Sequence, residues 1–236
     1  MGKCKDVDVT RKSYTLIYDL VEKILESIGI DQLAMYKEAL TNIFKNNKLA
    51  PLAELISSDI LMFHAILLKE SDRGSVLMAA SYLEDLLEKL LQKFFVNENS
   101  LTNTLFNGYG VLSSFSSKID LSYLLGLISN NAQKKLHLIR KIRNEFAHSS
   151  DFIGFSEASI SNRCYELKGV NWPCDLSSRD IFIRVVFVLA GIIYSATIQE
   201  EGRKEKSSEE LDLEKLIPNF EEQLSYEVES YIKKAL

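Results

Sequence analysis

Apolar residues recur every three to four positions along most of this chain, the spacing that gathers them on one side of an α-helix. Leu16, Ile17, Leu20, Val21, Ile24, Leu25 and Ile28 form one such stripe across residues 11–28, and Gly29 ends it. Asp31 is placed to cap a second helix bearing Leu33, Met35, Tyr36, Leu40, Ile43 and Phe44. Pro51 suits the first turn of a third, which runs to about residue 69 before the break at ESDRGS. The strongest pattern spans residues 76–95, where Leu77, Ala80, Leu83, Leu87, Leu90, Leu91 and Phe94 predict an inward face.

Residues 97–118 are polar and Gly-punctuated, and predict a long connection. Helix resumes over about 121–128, and Asn130 or Asn131 can cap the next one, at 132–147. Residues 149–179 are the least regular part, with room for at most a short hairpin at 150–168. An apolar helix follows at 180–199, then the solvated stretch EEGRKEKSSEE. A last amphipathic helix runs to the C-terminus and is interrupted or restarted at Pro218. Neither the alternation of a sheet nor an internal repeat is present. The predicted class is all-α, a helical bundle at residues 71–200. An N-terminal helical extension at 1–70 is free to bind a partner, and 201–236 form a linker and C-terminal helix.

Composition narrows the functions open to such a bundle. The net charge of −5 argues against a wholesale nucleic-acid coat, although it averages over local patches. Cys4, Cys164 and Cys174 are odd in number and lack CxxC spacing, which fits free thiols in a reducing cytoplasm and gives zinc no ligand set. The N-terminus has no apolar signal core, and Asp6 stands where myristoylation after Met-Gly needs Ser or Thr. The stretch IFIRVVFVLAGIIYSATI, residues 181–198, approaches membrane length. Arg184 interrupts it and Tyr194, Ser195 and Thr197 dilute its end, so a helix buried in the core or at a subunit interface is expected, without a membrane partner.

Chemistry concentrates in LHLIRKIRNEFAHSSD, residues 136–151. At 100° per residue, Ile139, Ile142 and Phe146 share one side, with Leu136 at its edge. His137, Lys141, Asn144 and His148 share another. Arg143 falls beside the apolar stripe, where a guanidinium needs a partner, either Glu84, Asp85 or Glu88 or the phosphate of a ligand. Residues 131–150 carry five Lys/Arg against one Glu, enough to attract RNA locally, with His137, Arg140 and Lys141 as the contacts. Read on residues alone, the stretch is first of all an amphipathic helix with a solvated basic face and one salt-bridged Arg.

IRNEFAHS resembles the Arg-x4–6-His signature of the HEPN superfamily, helical domains that include metal-independent endoribonucleases, many of them toxins or defence effectors. The wider order LMAASYLEDLLEKLL, GYGVLSSFSSKIDLSYLLGLIS, IRKIRNEFAHS and FSEASISNRCYEL resembles the mannitol operon repressor (MltR-like) family over about residues 73–200. The first resemblance implies RNA cleavage by the substrate's own 2′-OH, without metal or other cofactor. His148 would then act as acid/base, Arg143 as phosphate clamp and Asn144 as orienting hydrogen-bonder. The second implies a non-catalytic transcriptional regulator. With no exposed basic recognition helix, such a regulator would work through protein–protein contacts. Five helical residues set Arg143 and His148 about 140° apart, too far to grip one phosphate on a regular helix. A homodimer that pools both copies across a two-fold axis would solve this, with helix 132–147 at the interface and the apolar helix 181–198 as a further candidate contributor. HEPN nucleases are known for that arrangement. An active nuclease would also need an inhibitory protein partner. NGYG at 107–110 lacks the Gly-Lys-Ser/Thr of a phosphate loop and reads as a turn. His64 reads as a satisfied core or interface residue, and Arg163 and Trp172 as candidates to edge a pocket.

Overall fold

Serine opens four of the helices, and each time by the same contact. The side chains of Ser71, Ser114, Ser129 and Ser177 accept the backbone N–H of Gly74, Ser117, Ala132 and Asp180, three residues on. Each bond satisfies one of the donors that a helix N-terminus leaves without an internal partner. Ser177 and Asp180 add the reciprocal bond of a capping box.

The computed structural model describes residues 58–168, 172, 174–205 and 219–235. The helix predicted at 11–28, the one capped by Asp31, the start of the third at Pro51 and the break at Pro218 lie outside the described residues. The chain divides into two compact units at the junction of residues 202 and 203. The first contains α1 (Ser58–Lys69), α2 (Asp72–Phe94), α3 (Asn99–Phe106), α4 (Phe115–Leu124), α5 (Asn130–His148), α6 (Ala158–Leu167) and α7 (Ser178–Gln199). The second contains α8 (Phe220–Ala235), whose Leu224, Tyr226, Val228 and Ile232 are exposed. No strand occurs among the described residues, and the fold is all-α.

Helix α2 is the axis of the first unit, packing against α7, α5, α4 and α1. Of its predicted inward residues, Ala80, Leu83, Leu87, Leu90 and Leu91 are fully buried, whereas Leu77 and Phe94 are half-buried. Burying a Leu stabilises by about 1.5–3 kcal/mol, so this stripe commits α2 to the centre. Helix α7 buries Ile181, Phe182, Val185, Val186, Leu189 and Ile193 and packs on α1, α2 and α6. It is long and apolar enough to cross a membrane, yet half of its most apolar stretch is buried in the bundle, as in a core helix. A row of rings, Phe146–Phe155–Phe182, at 5.7 and 5.3 Å between centroids, ties α5 to α7 through the loop after α5.

Several predicted elements change. Residues 97–118 hold α3 and the start of α4, whose Phe106, Leu112 and Phe115 are buried. Weak helix formers (Asn, Ser, Thr) mask that pattern, and the Ser114 cap sets the new start. The helix expected at 121–128 is displaced to Phe115–Leu124, and Gly126, at φ +75°, makes the turn after it. Ser129, not Asn130 or Asn131, caps α5. The irregular segment contains α6 rather than a hairpin, seated by buried Ile160, Cys164 and Leu167. Residues 58–69, assigned to the extension, pack on α2 and α7 as part of the same body.

Candidate functional site

Helix α5 sorts its side chains as its period requires. Leu136, Ile139, Ile142 and Phe146 are wholly buried, Lys141 and His148 are exposed, and His137, Arg140, Arg143 and Asn144 lie between. The helix is continuous through His148 and capped at Ser149, so Arg143 and His148 stay about 140° apart in one chain.

Much of the polar face is engaged within the molecule. His137 Nε2 lies 2.8 Å from Asp120 Oδ1, and Gln133 Nε2 donates to the same oxygen at 2.9 Å, joining α5 to α4. The hydrogen bond from His137 holds the Asp120 carboxyl below its usual value, against a smaller opposing effect of burial. Gln133 and the charge of Arg140 act in the same direction as His137. Glu145 accepts from Arg163 and from Ser159 on α6. Lys135 Nζ donates to the Leu167 carbonyl at 2.9 Å, near the C-terminus of α6, and lies 6.0 Å from the Trp172 ring centroid. Burial lowers the Lys135 pKa. Arg163 and Lys135 therefore tie α6 to α5, and Trp172 lies beside Lys135.

Three of the residues singled out by sequence behave differently. Among the described residues, no side-chain hydrogen bond or ion pair reaches Arg143, Asn144 or His148. The expected pairing of Arg143 with Glu84, Asp85 or Glu88 is not formed. Glu84 and Glu88 hold Lys118 at 3.2 and 2.8 Å, and Asp85 holds Lys89. Lys118 is almost fully buried and also faces the Phe106 ring. Its burial disfavours the charge, but hydrogen bonds and charge from Glu88 and Glu84 outweigh it and raise the pKa. Lys118 is thus the cation that Glu84 and Glu88 share, in the place where Arg143 was expected.

Sequence reasoning missed the junction that fixes the His148 end of α5. Arg73, in the first turn of α2, donates to the carbonyls of Ser149 and Asp151, both at 2.9 Å. Its neighbour Asp72 accepts the Phe155 N–H at 3.1 Å. A Cβ added at Gly154 would stand 2.9 Å from Asp72 Oδ2, so the close approach is suited to glycine. Arg179 of α7 binds Asp72, the Leu67 and Glu70 carbonyls at 3.1 and 2.6 Å, and Ser75 Oγ at 3.0 Å. The only sequence signal was a charged SSRD preceding an apolar helix, and it names no partners.

Other chemistries find little support. Among the described residues, no group of three or more His, Cys, Asp and Glu is arranged to hold a metal. Burial pushes the Cys164 thiol up to about 12, the behaviour of an inert core thiol rather than a nucleophile. His64 is buried, and its pKa is lowered to about 4 by burial and then by the charge of Arg184. It is neutral at physiological pH.

A family model described as "Mannitol repressor" matches residues 62–202. A solved structure, described as the X-ray structure of the MtlR–HPr complex from Escherichia coli, is similar at 17% identity and a TM-score of 0.47. The match covers 56% of this chain and 98% of that one. No curated protein matches.

Proposed function

Because this chain belongs to the mannitol repressor family, we propose that it is a non-catalytic regulator of gene expression acting through protein–protein contacts. The family match carries this reading, and the engagement of α5 supports it. His137, assigned by sequence to RNA, is tied to Asp120, and Glu145 is spent on Arg163. The chain is acidic overall, without the basic footprint of a protein that reads DNA directly. Its thiols suit a cytoplasmic setting.

The test joins transcript profiling of the native host, with and without the chain, to binding of the purified protein to promoter DNA at physiological salt. Altered transcript levels without direct DNA binding support the reading. Direct specific DNA binding, or an unchanged transcript profile, refutes it.

One observation favours a second reading, a metal-independent HEPN-type endoribonuclease. Arg143, Asn144 and His148 have no side-chain hydrogen bond or ion pair among the described residues, and His148 is exposed. With α5 continuous through His148, that enzyme is a homodimer pooling Arg143 of one copy with His148 of the other, held in check by an inhibitory protein. RNA cleavage in EDTA by the purified protein, lost in both R143A and H148A, would establish it.

A further inference from the structure

Residues 99–117 contain no Asp, Glu, Lys, Arg or His, the longest such run in a chain of which 26% is charged. Buried Phe106 and Leu112 seat its middle in a cluster with Leu91 of α2. Between those anchors the chain turns outward through Asn107, Gly108, Tyr109 and Gly110. Backbone bonds close the turn: the Gly110 N–H donates to the Asn107 carbonyl at 3.0 Å, and the Leu112 N–H to the Leu105 carbonyl at 2.9 Å. Gly108 sits at φ +60°, and a Cβ on Gly110 would collide with the Thr104 and Leu105 carbonyls, so both positions suit glycine. This fixed turn holds the Tyr109 ring wholly in solvent, and Val111 after it is 71% exposed. The ring borders an open hollow of about 580 Å³, lined also by Asn103, Thr104, Asn107 and the two glycines. An exposed aromatic on a preorganised turn, in a surface without charge, has the composition of the core of a protein interface.

Charge decides which protein fits. A two-fold contact sets one patch against itself, so a charge near the axis meets its own copy. In a chain of net charge −5, charged surfaces therefore oppose self-association. The run 99–117 escapes that penalty. It also carries a protruding ring and a hollow side by side, so two copies can exchange them. We propose that α3 and the turn 107–110 form a two-fold interface between two copies of this chain, with Tyr109 of each filling the hollow of the other. The interface lies apart from the candidate site. Arg73, near the start of α2, holds the carbonyls that follow His148, whereas Leu91, about 27 Å further along that helix, packs under the turn. A dimer joined here keeps the two His148 ends far apart. It goes beyond the regulatory reading and is a different dimer from the one that the nuclease reading needs.

Sedimentation equilibrium of the full chain at about 1–100 µM tests this. The wild-type protein is expected to dimerise, and raising the salt should leave the dimer at least as tight, because no ion pair holds it. Tyr109→Ser should raise the dissociation constant at least about tenfold, as for a central aromatic anchor. Since the Tyr109 side chain touches solvent alone, circular dichroism should show this variant as helical as the wild type. Arg143→Ala should leave the constant unchanged. A monomer throughout the range, a dimer loosened by salt, one that tolerates Tyr109→Ser, or one that Arg143→Ala disrupts would each overturn the proposal.

Discussion

Arg179 and Asp72 are joined by an ion pair across 107 positions of sequence, and the pair is the centre of a wider knot. The same guanidinium holds two carbonyls at the end of α1 and the hydroxyl of Ser75, while the same carboxylate receives the Phe155 N–H. Four segments thus depend on two side chains.

Arg179→Ala is expected to destabilise the fold by about 2–3 kcal/mol, since it strands a carboxylate and several acceptors together. Arg179→Lys recovers only part of this, because one ammonium cannot reproduce the planar fork. Urea denaturation followed by far-UV circular dichroism measures both. A loss below about 0.5 kcal/mol for the alanine variant would contradict the role given to the knot.

His64 makes stability sensitive to acid. Its folded pKa, about 4, lies below the ordinary 6.5, so below pH 6.5 the unfolded chain takes up the proton first. Stability should fall as pH drops from about 6.5 towards 4, by about 3 kcal/mol at most. In His64→Leu that part of the slope disappears. Denaturation midpoints at pH 7, 5.5 and 4.5 reveal it, and parallel slopes in the two proteins would count against burial as the cause.

Lys118 acts with the opposite sign. Its pKa is raised on folding, so its contribution is fully present below the ordinary lysine value and is lost as pH rises through the folded one. Lys118→Met should cost about 2–3 kcal/mol, because Glu84 and Glu88 then face each other uncompensated. Adding Glu84→Gln and Glu88→Gln should restore at least half of that loss. Thermal unfolding of the single and triple variants decides.

Asp120 offers a spectroscopic check. Its lowered pKa gives stability above the ordinary carboxylate value that is lost as pH falls through the folded one. His137→Ala should move the Asp120 carboxyl upward in an NMR titration, with a change in stability under about 1 kcal/mol, as the carboxylate is half exposed. No upward movement would mean that His137 does not govern it.

At the exposed end of α5, His148→Ala should change stability by less than about 0.5 kcal/mol. The regulatory reading expects wild-type protein to leave diverse RNAs intact in EDTA. Gel analysis of cleavage, with R143A and H148A alongside, separates it from the nuclease reading.

The sequence spoke most clearly where one side of a helix is wholly buried. The stripes of α2 and α5 were legible because Leu and Ile at three- and four-residue spacing have few other uses. Helix α6 was missed although Ile160, Cys164 and Leu167 carry the same spacing, since ten residues rich in Ser and Asn give a weak signal. For the candidate site, the azimuths of Arg143 and His148 were readable from period alone. The partners were not, because an ion pair such as Lys118 with Glu84 depends on which helices become neighbours, information that no local pattern contains.

The bonds made by Arg73 and Arg179 also bear on the order of assembly. They link residues 76 to 112 positions apart, so each can form only after the chain between has been gathered in. An interaction absent from the folding transition state slows unfolding and leaves the folding rate unchanged, and the knot is expected to be of that kind. The knot would then act less as a nucleus than as a latch, leaving the rate of folding nearly untouched and setting how long the bundle stays closed.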